Sequence, residues 1–225
     1  MSKTPSCHRN RLVVFDCDGV LVDSERLAVD LDVRVLGALG WEITREEVIE
    51  RFVGRSDADM RAEIEEHLGR ALPGNWDAGW ADEYRRVLDE RLVSVPGVVE
   101  AIAEVVAQGF ATCVASSGSH AKMQNTLALT GLSACFEGRI FSATEVPRGK
   151  PAPDLFLYAA STMGFDPSSC VVVEDSRYGV EAARAAGMAV IGYAGGITPR
   201  THLEDADIVI TNMGELAASI QQLSN

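Results

Sequence analysis

Lysine is nearly missing from this chain: three residues, Lys3, Lys122 and Lys150, stand against seventeen arginines. Basic charge is short as a whole, with 20 basic residues facing 33 acidic ones and a formal net charge of -13. That balance argues against a nucleic-acid partner or an anionic membrane surface. No apolar run approaches the roughly 18 residues that a membrane span requires. The opening ten residues are polar, lack the apolar centre of a signal peptide and read as a loose tail. Five cysteines (Cys7, Cys17, Cys113, Cys135 and Cys170) are odd in number and widely spaced. They exclude a disulfide scaffold and favour a reduced, cytoplasmic protein. No C-x-x-C or H-x-x-x-H spacing is present, which removes the ordinary zinc centres. The histidines at 8, 67, 120 and 202 are scattered, and His120 is a candidate substrate contact. There is no internal repeat and no low-complexity segment.

What is present is a chain of 225 residues with 47% hydrophobic content, enough for one sizeable core, or a core plus a small second domain. After residue 95, strand and helix signals alternate, which predicts a parallel sheet with crossover helices. Strands are expected at Leu12 to Phe15, Ala111 to Ala115, Val171 to Val173, Ala189 to Ile191 and Ile208 to Ile210. Helices are expected at Val98 to Ala107, Ala121 to Leu129 and Gly179 to Ala186. The stretch Gly192 to Gly196 reads as a flexible turn. Residues 24 to 92 differ: Leu27, Leu31, Val35 and Leu39 recur every four residues, as do Trp76, Trp80, Tyr84 and Leu88. This is helical periodicity without strands, and the aromatics read as a small helical core. The fold class is therefore α/β, with an all-helical block inserted after the first strand and joined to the sheet near Val22 to Asp23 and Ser94 to Gly97.

Asp16-Cys17-Asp18-Gly19 follows directly on Leu12-Val13-Val14-Phe15. In extended backbone Asp16 and Asp18 point to the same side, and Gly19 lets the chain turn sharply. Two carboxylates then stand at the carboxyl end of a strand, where open α/β sheets bind ligands. Like charges this close need a cation or a shared proton. They read either as a Mg²⁺ site with one carboxylate able to attack phosphorus, or as an acidic turn closing the strand. Cys17, between them, reads as a small residue facing away from the site.

Three later features bear on that choice. Ser116 ends an apolar strand, where a hydroxyl either holds an anion or forms a turn. Glu174-Asp175 follows Val171-Val172-Val173 and is either a metal-binding pair or a helix cap. Lys150 stands in Gly149-Lys150-Pro151-Ala152-Pro153. A chain this biased toward arginine keeps a lysine there, which suits a crowded site that needs a compact cation rather than a planar fork.

The run Asp16 to Glu25 resembles the opening motif of the haloacid-dehalogenase-like hydrolases, and Ser116, Lys150 and Glu174-Asp175 follow in that family's order. The resemblance covers the chain from about Leu12 to the last strand. It implies a Rossmann-like parallel sheet core (residues 1–23 and 95–225) under a helical cap (residues 24–94). It implies a Mg²⁺-dependent phosphoric monoester hydrolase, with Asp16 as nucleophile and Asp18 as general acid and base. Lys150 would join nucleophile and phosphate. Ser116, Ser117 and Gly118 would hold the phosphate, and Gly54 and Arg55 would meet the substrate. The implied metal ligands are Asp16, the Asp18 carbonyl and Asp175, with Glu174 bound directly or through water. The substrate would be a small phosphorylated metabolite, a sugar phosphate first and phosphoglycolate as an alternative.

Other reactions of the resembled family fit less well. Dehalogenation uses neither a second aspartate nor a metal. Phosphonoacetaldehyde hydrolysis needs a cap lysine, and residues 24 to 92 contain none. A β-phosphoglucomutase-type isomerase is the nearest alternative. Here Ala28 stands where such a mutase has a histidine, and Asp57 stands where it has an arginine.

Overall fold

The structure is a computed structural model, and it describes residues 11–76 and 78–223. The polar tail, with Lys3, Cys7 and His8, lies outside the described residues. Among these residues six strands form one parallel sheet: β1 (Leu12–Phe15), β2 (Ala111–Ser116), β3 (Ile140–Ser142), β4 (Cys170–Glu174), β5 (Ala189–Tyr193) and β6 (Ile208–Ile210), in the spatial order β3-β2-β1-β4-β5-β6. The chain starts in the middle, builds one side through β2 and β3, then returns to the other side of β1 for β4. That reversal opens a crevice at the carboxyl ends of β2, β1 and β4.

The short apolar runs become strands because both faces of this sheet are covered. Val13 and Phe15 pack on one face with Ile102 of α5 (Val98–Ala107), Met123 and Leu127 of α6 (His120–Leu129), and Ile220 of α9 (Leu216–Leu223). Leu12 and Val14 pack on the other with Leu155 and Phe156 of α7 (Asp154–Met163) and Val180 and Ala183 of α8 (Arg177–Ala185). All four β1 side chains are fully buried. Each contributes about 1.5–3 kcal/mol by leaving water, so a charged residue in β1 would undo both layers.

Two expectations shift here. Gly192 and Tyr193 extend β5 rather than forming a turn, since Glu174 pairs with Gly192 and Tyr193 with Ile210. The sheet also gains β3, whose three residues are too few to show a periodic signal.

Among the described residues, four helices lie between β1 and α5: α1 (Glu25–Leu39), α2 (Arg45–Phe52), α3 (Asp57–Leu68) and α4 (Ala78–Arg91). Gly40 closes α1 in the left-handed conformation, φ 98°. Thr44 and Glu47 form a reciprocal cap at the start of α2. Val29, Leu36, Trp41, Val48, Phe52 and Ile64 form a separate apolar cluster, and His67 stacks flat on Trp41 with ring centroids 3.8 Å apart. The links to the sheet pair with each other: Asp23 N–H donates to Val93 O and Val95 N–H to Leu21 O, both at 3.0 Å.

Candidate active site

Asp16 is the first residue beyond β1. Its amide still donates to Val173 O at 3.0 Å, so the sheet's own ladder fixes where the carboxylate begins. Gly19 then turns with φ +76°, and a Cβ there would lie 2.0 Å from Asp175 Oδ2. The turn is thus tight because the Asp175 carboxylate, arriving from β4, lies against it. Cys17 does face away, buried in the sheet core with its Sγ 3.8 Å from Thr126 Oγ1.

Lys150 enters from the loop between β3 and α7. Its Nζ donates to Asp16 Oδ1 at 2.5 Å and to Glu174 Oε1 at 2.5 Å. The side chains of all three are almost wholly buried, at 1%, 6% and 0% exposure. The other Glu174 oxygen accepts from the Ser176 amide and hydroxyl, both at 2.9 Å. Glu174 therefore has both oxygens engaged, and it lies so close to α8 that a Cβ on Gly179 would sit 1.9 Å from its carboxyl carbon. The small residues of α8 serve this approach.

Asp18 accepts from the Ser24 hydroxyl, and Lys122 Nζ lies 3.0 Å from its Oδ2. Burial alone would raise the Asp18 carboxyl. Lys122 and Ser24 outweigh it and hold the group below its ordinary range. Asp16 goes the other way: burial pushes it up to about 7, with Lys150 opposing and Glu174 adding. Burial likewise raises Glu25 to about 8 and lifts Asp175 well above its usual value, with neighbouring carboxylates adding to both.

Of the four buried side-chain oxygens without a hydrogen-bond partner among the described residues, two belong to this cluster: Asp175 Oδ2 and Glu25 Oε2. Orphaned carboxylate oxygens in a cluster this acidic fit a hard divalent cation. Among the described residues, no three His, Cys, Asp or Glu side chains converge as a preformed cage. Glu174 is tied to Lys150 and Ser176, which leaves Asp16 and Asp175 as the carboxylates of this cluster that could hold such an ion.

Above these groups, between the helical block and the sheet, is a cavity of about 280 Å³. Asp16, Asp18, Ser116, Ser117, Gly118, Gly54 and Arg55 all line it. Lys150 stands behind Asp16 rather than in the wall. The Gly118 amide donates to Ser116 Oγ at 3.2 Å, and Ser117 Oγ donates to Gly54 O at 2.9 Å, bridging sheet and helices. Gly54 needs its φ of +83° and its missing Cβ, which would lie 2.2 Å from Ser176 Oγ. Arg55 pairs with Glu63 and lies over the Tyr178 ring at 5.5 Å. Further contacts hold the block down: Glu50 of α2 meets Arg177 at 2.9 Å and His202 at 2.6 Å.

Two sequence expectations are corrected, and two residues are added. His120 does not face the cavity; its Nε2 lies 2.8 Å from Glu145 Oε2 on the outer side. Trp80 and Tyr84 are not core aromatics but line the cavity, and Trp76 both lines it and packs against the helical cluster. Lys122 was missed, although it is one of only three lysines and follows the Ser116 strand end. It sits beside Asp18 and lies 5.8 Å from the centroid of the Tyr84 ring. Asp32 was also missed: half-buried in α1 and opening on the cavity, its carboxyl is raised to about 7 by burial, with Lys122 opposing and Asp57 adding.

The family model for haloacid dehalogenase-like hydrolases matches residues 10–187. The 6-phosphogluconate phosphatase of Escherichia coli (strain K12) is 30% identical over 183 residues, covering 81% of each chain. The chloroplastic protein SUPPRESSOR OF QUENCHING 1 of Arabidopsis thaliana is 36% identical over 185 residues, or 80% of this chain, and the match spans 17% of that longer protein. A conserved haloacid dehalogenase-like protein of Agrobacterium tumefaciens str. C58 superposes with a TM-score of 0.80 at 34% identity, covering 96% of this chain and 100% of that one. The shared fold, the extent of these matches and the family model's reach over most of the sequence make one conclusion plain: this chain belongs to the haloacid dehalogenase-like hydrolases.

Proposed function

We propose that this chain is a Mg²⁺-dependent phosphatase that cleaves a small phosphate monoester of the sugar-phosphate class through an aspartyl-phosphate on Asp16. The observation that carries the reading is the pairing of Asp16 with buried Lys150 at the cavity floor, with Asp18 beside it. A buried carboxylate held by a compact cation at the floor of a cavity is placed for nucleophilic attack. The named activity of the Escherichia coli relative supports the substrate class.

An Asp16 oxygen forms a bond to phosphorus as the bond to the leaving oxygen breaks. Asp18 gives that oxygen its proton, then takes a proton from the water that attacks phosphorus and releases phosphate from Asp16. Lys150 holds Asp16 in place and offsets its charge throughout. Ser116 donates its hydroxyl to a phosphate oxygen. Lys122 keeps Asp18 ionised in the form described here; once the incoming phosphate draws Lys122 toward itself, Asp18 takes up the proton carried by the phosphate monoester monoanion and passes it to the leaving oxygen. Asp16, Asp175 and the Asp18 carbonyl would hold Mg²⁺, which when bound neutralises phosphate charge.

The isomerase alternative needs a cap group that holds the sugar while the intermediate survives. The cavity presents Ala28 and Asp57 at the two positions concerned, which favours hydrolysis. The test is a coupled assay of free phosphate and glucose 6-phosphate from β-glucose 1-phosphate, with a trace of sugar bisphosphate. Phosphate should form faster, and release should stop in excess chelator. Faster isomerisation, or full activity without divalent ions, would overturn the reading.

A further inference from the structure

At Gly54 the helical block rests directly on the residue that holds Glu174. The Gly54 carbonyl accepts from Ser117 Oγ at 2.9 Å. Its Cα lies over Ser176, so near that an added Cβ would stand 2.2 Å from the Ser176 hydroxyl and 2.4 Å from its Cβ. Ser176 is itself 1% exposed. Its hydroxyl accepts the Gly179 amide at 3.1 Å and gives its one hydrogen to Glu174 Oε2 at 2.9 Å. The other Glu174 oxygen accepts from Lys150, which also donates to Asp16. Contacts therefore run from the helical block through Ser176, Glu174 and Lys150 to Asp16. Neither Ser176 nor Glu174 lines the cavity, so only the far end of this run meets substrate.

We infer that Ser176 is a positioning residue for the nucleophile: covered by Gly54, it fixes Glu174 and, through Lys150, the placement of the Asp16 carboxylate. The inference rests on the reading of Asp16 as the attacking group. Lys150 is shared between two carboxylates, each 2.5 Å from its Nζ. A Glu174 that loses the Ser176 hydroxyl has less of its charge met, and it draws the ammonium away from Asp16. The Ser176 amide remains as a donor to Glu174 at 2.9 Å, so the hold loosens without breaking. Gly54 acts by shielding. Water that reached the Ser176 hydroxyl would compete for the hydrogen that Glu174 now receives. Seating of the helical block and placement of Asp16 are thus linked by a contact that the substrate never touches.

The test is phosphate release from para-nitrophenyl phosphate at saturating Mg²⁺. Ser176→Gly removes the hydroxyl at the start of α8, a position where glycine caps a helix nearly as well as serine. The variant should lose kcat by about tenfold or more, with KM within about twofold of wild type, because Ser176 meets no substrate. A double-variant cycle reads the part played by the helical block. Gly54→Ala alone should lower kcat/KM about tenfold or more. In the Ser176→Gly background, where the atoms its methyl would meet are gone, the same change should cost about threefold or less. If Ser176→Gly does not fold, Ser176→Ala removes the same hydroxyl and reads the same loss of kcat. An unchanged kcat, a loss confined to KM, or a Gly54→Ala cost equal in both backgrounds overturns the inference while the hydrolase stands. No release by the wild type from this ester or from glucose 6-phosphate overturns the phosphatase reading, and the inference with it.

Discussion

Replacing Lys150 with methionine tests the floor of the site through stability alone. The substitution keeps the length of the side chain and removes its charge. It leaves Asp16 and Glu174 buried and facing each other, in a place where their side chains are 6% and 0% exposed. Removing one partner of a buried ion cluster costs about 3–5 kcal/mol. At about 2–4 °C per kcal/mol for a domain of this size, the melting temperature should fall by about 6–20 °C.

The sign of the pH dependence is fixed by Asp16. Its carboxyl already stands near 7, and loss of Lys150 raises it further. A folded state that holds a proton more tightly than the unfolded chain loses stability as pH rises from the ordinary carboxyl range through the raised value. Lys150 itself is raised above its ordinary value by Asp16 and Glu174 despite burial. Its stabilising charge is therefore constant between pH 5.5 and 8.5. The gap between wild type and Lys150→Met should be small near pH 5.5 and widen toward pH 8.5. The assay is a series of thermal or urea melts across that range, in chelator so that no divalent ion shares the charge. A variant as stable as wild type at pH 8, or a gap that does not change with pH, refutes the account of Lys150 as the cation on which Asp16 depends.

Three further outcomes follow from the same groups. Asp16→Asn should lower kcat at least 100-fold while leaving the melting temperature equal or higher, because a buried charge is removed; activity above roughly 1% of wild type would refute the nucleophile assignment. Asp32→Asn should raise the melting temperature at pH 8 by about 3 °C, and the gain should vanish near pH 4, since the raised Asp32 carboxyl costs stability only as pH climbs from its ordinary value through about 7; equal melts at pH 8 would contradict this. Gly54→Ala should weaken kcat/KM about tenfold or more, because the new methyl meets Ser176 Oγ and the φ of +83° disfavours it; unchanged kinetics would show that this contact does not set the position of the helical block.

The residues that arrive by sheet geometry were legible in the sequence. Asp16, Ser116 and Glu174-Asp175 follow apolar runs that could only be buried parallel strands, and adjacent strands in the order β2-β1-β4 bring their ends together. What the sequence could not show is which way a helix faces. The four-residue spacing of Trp80, Tyr84 and Leu88 predicts a shared face, but periodicity does not say whether that face meets a core or a cavity. Asp32 hides for a related reason: it lies between Leu31 and Val33, and an acid inside an apolar run reads as the solvent side of a helix. Lys122 did carry a signal. The rarity of lysine that singles out Lys150 applies equally to Lys122, the other lysine among the described residues.

The paired links at Asp23–Val93 and Leu21–Val95 carry a consequence for how such a protein can change over time. The chain leaves the sheet and rejoins it at adjacent points, so the four helices hang from a doorway only one strand-spacing wide. Closing that doorway asks little of whatever lies between. A helical block of another length or packing that kept Gly54 on Ser176 could hang there without moving Asp16, Asp18 or any strand of the sheet. Within the aromatic wall, Tyr84 is the exception to that independence: its ring lies against Lys122, which meets Asp18, so a change there reaches the reacting groups.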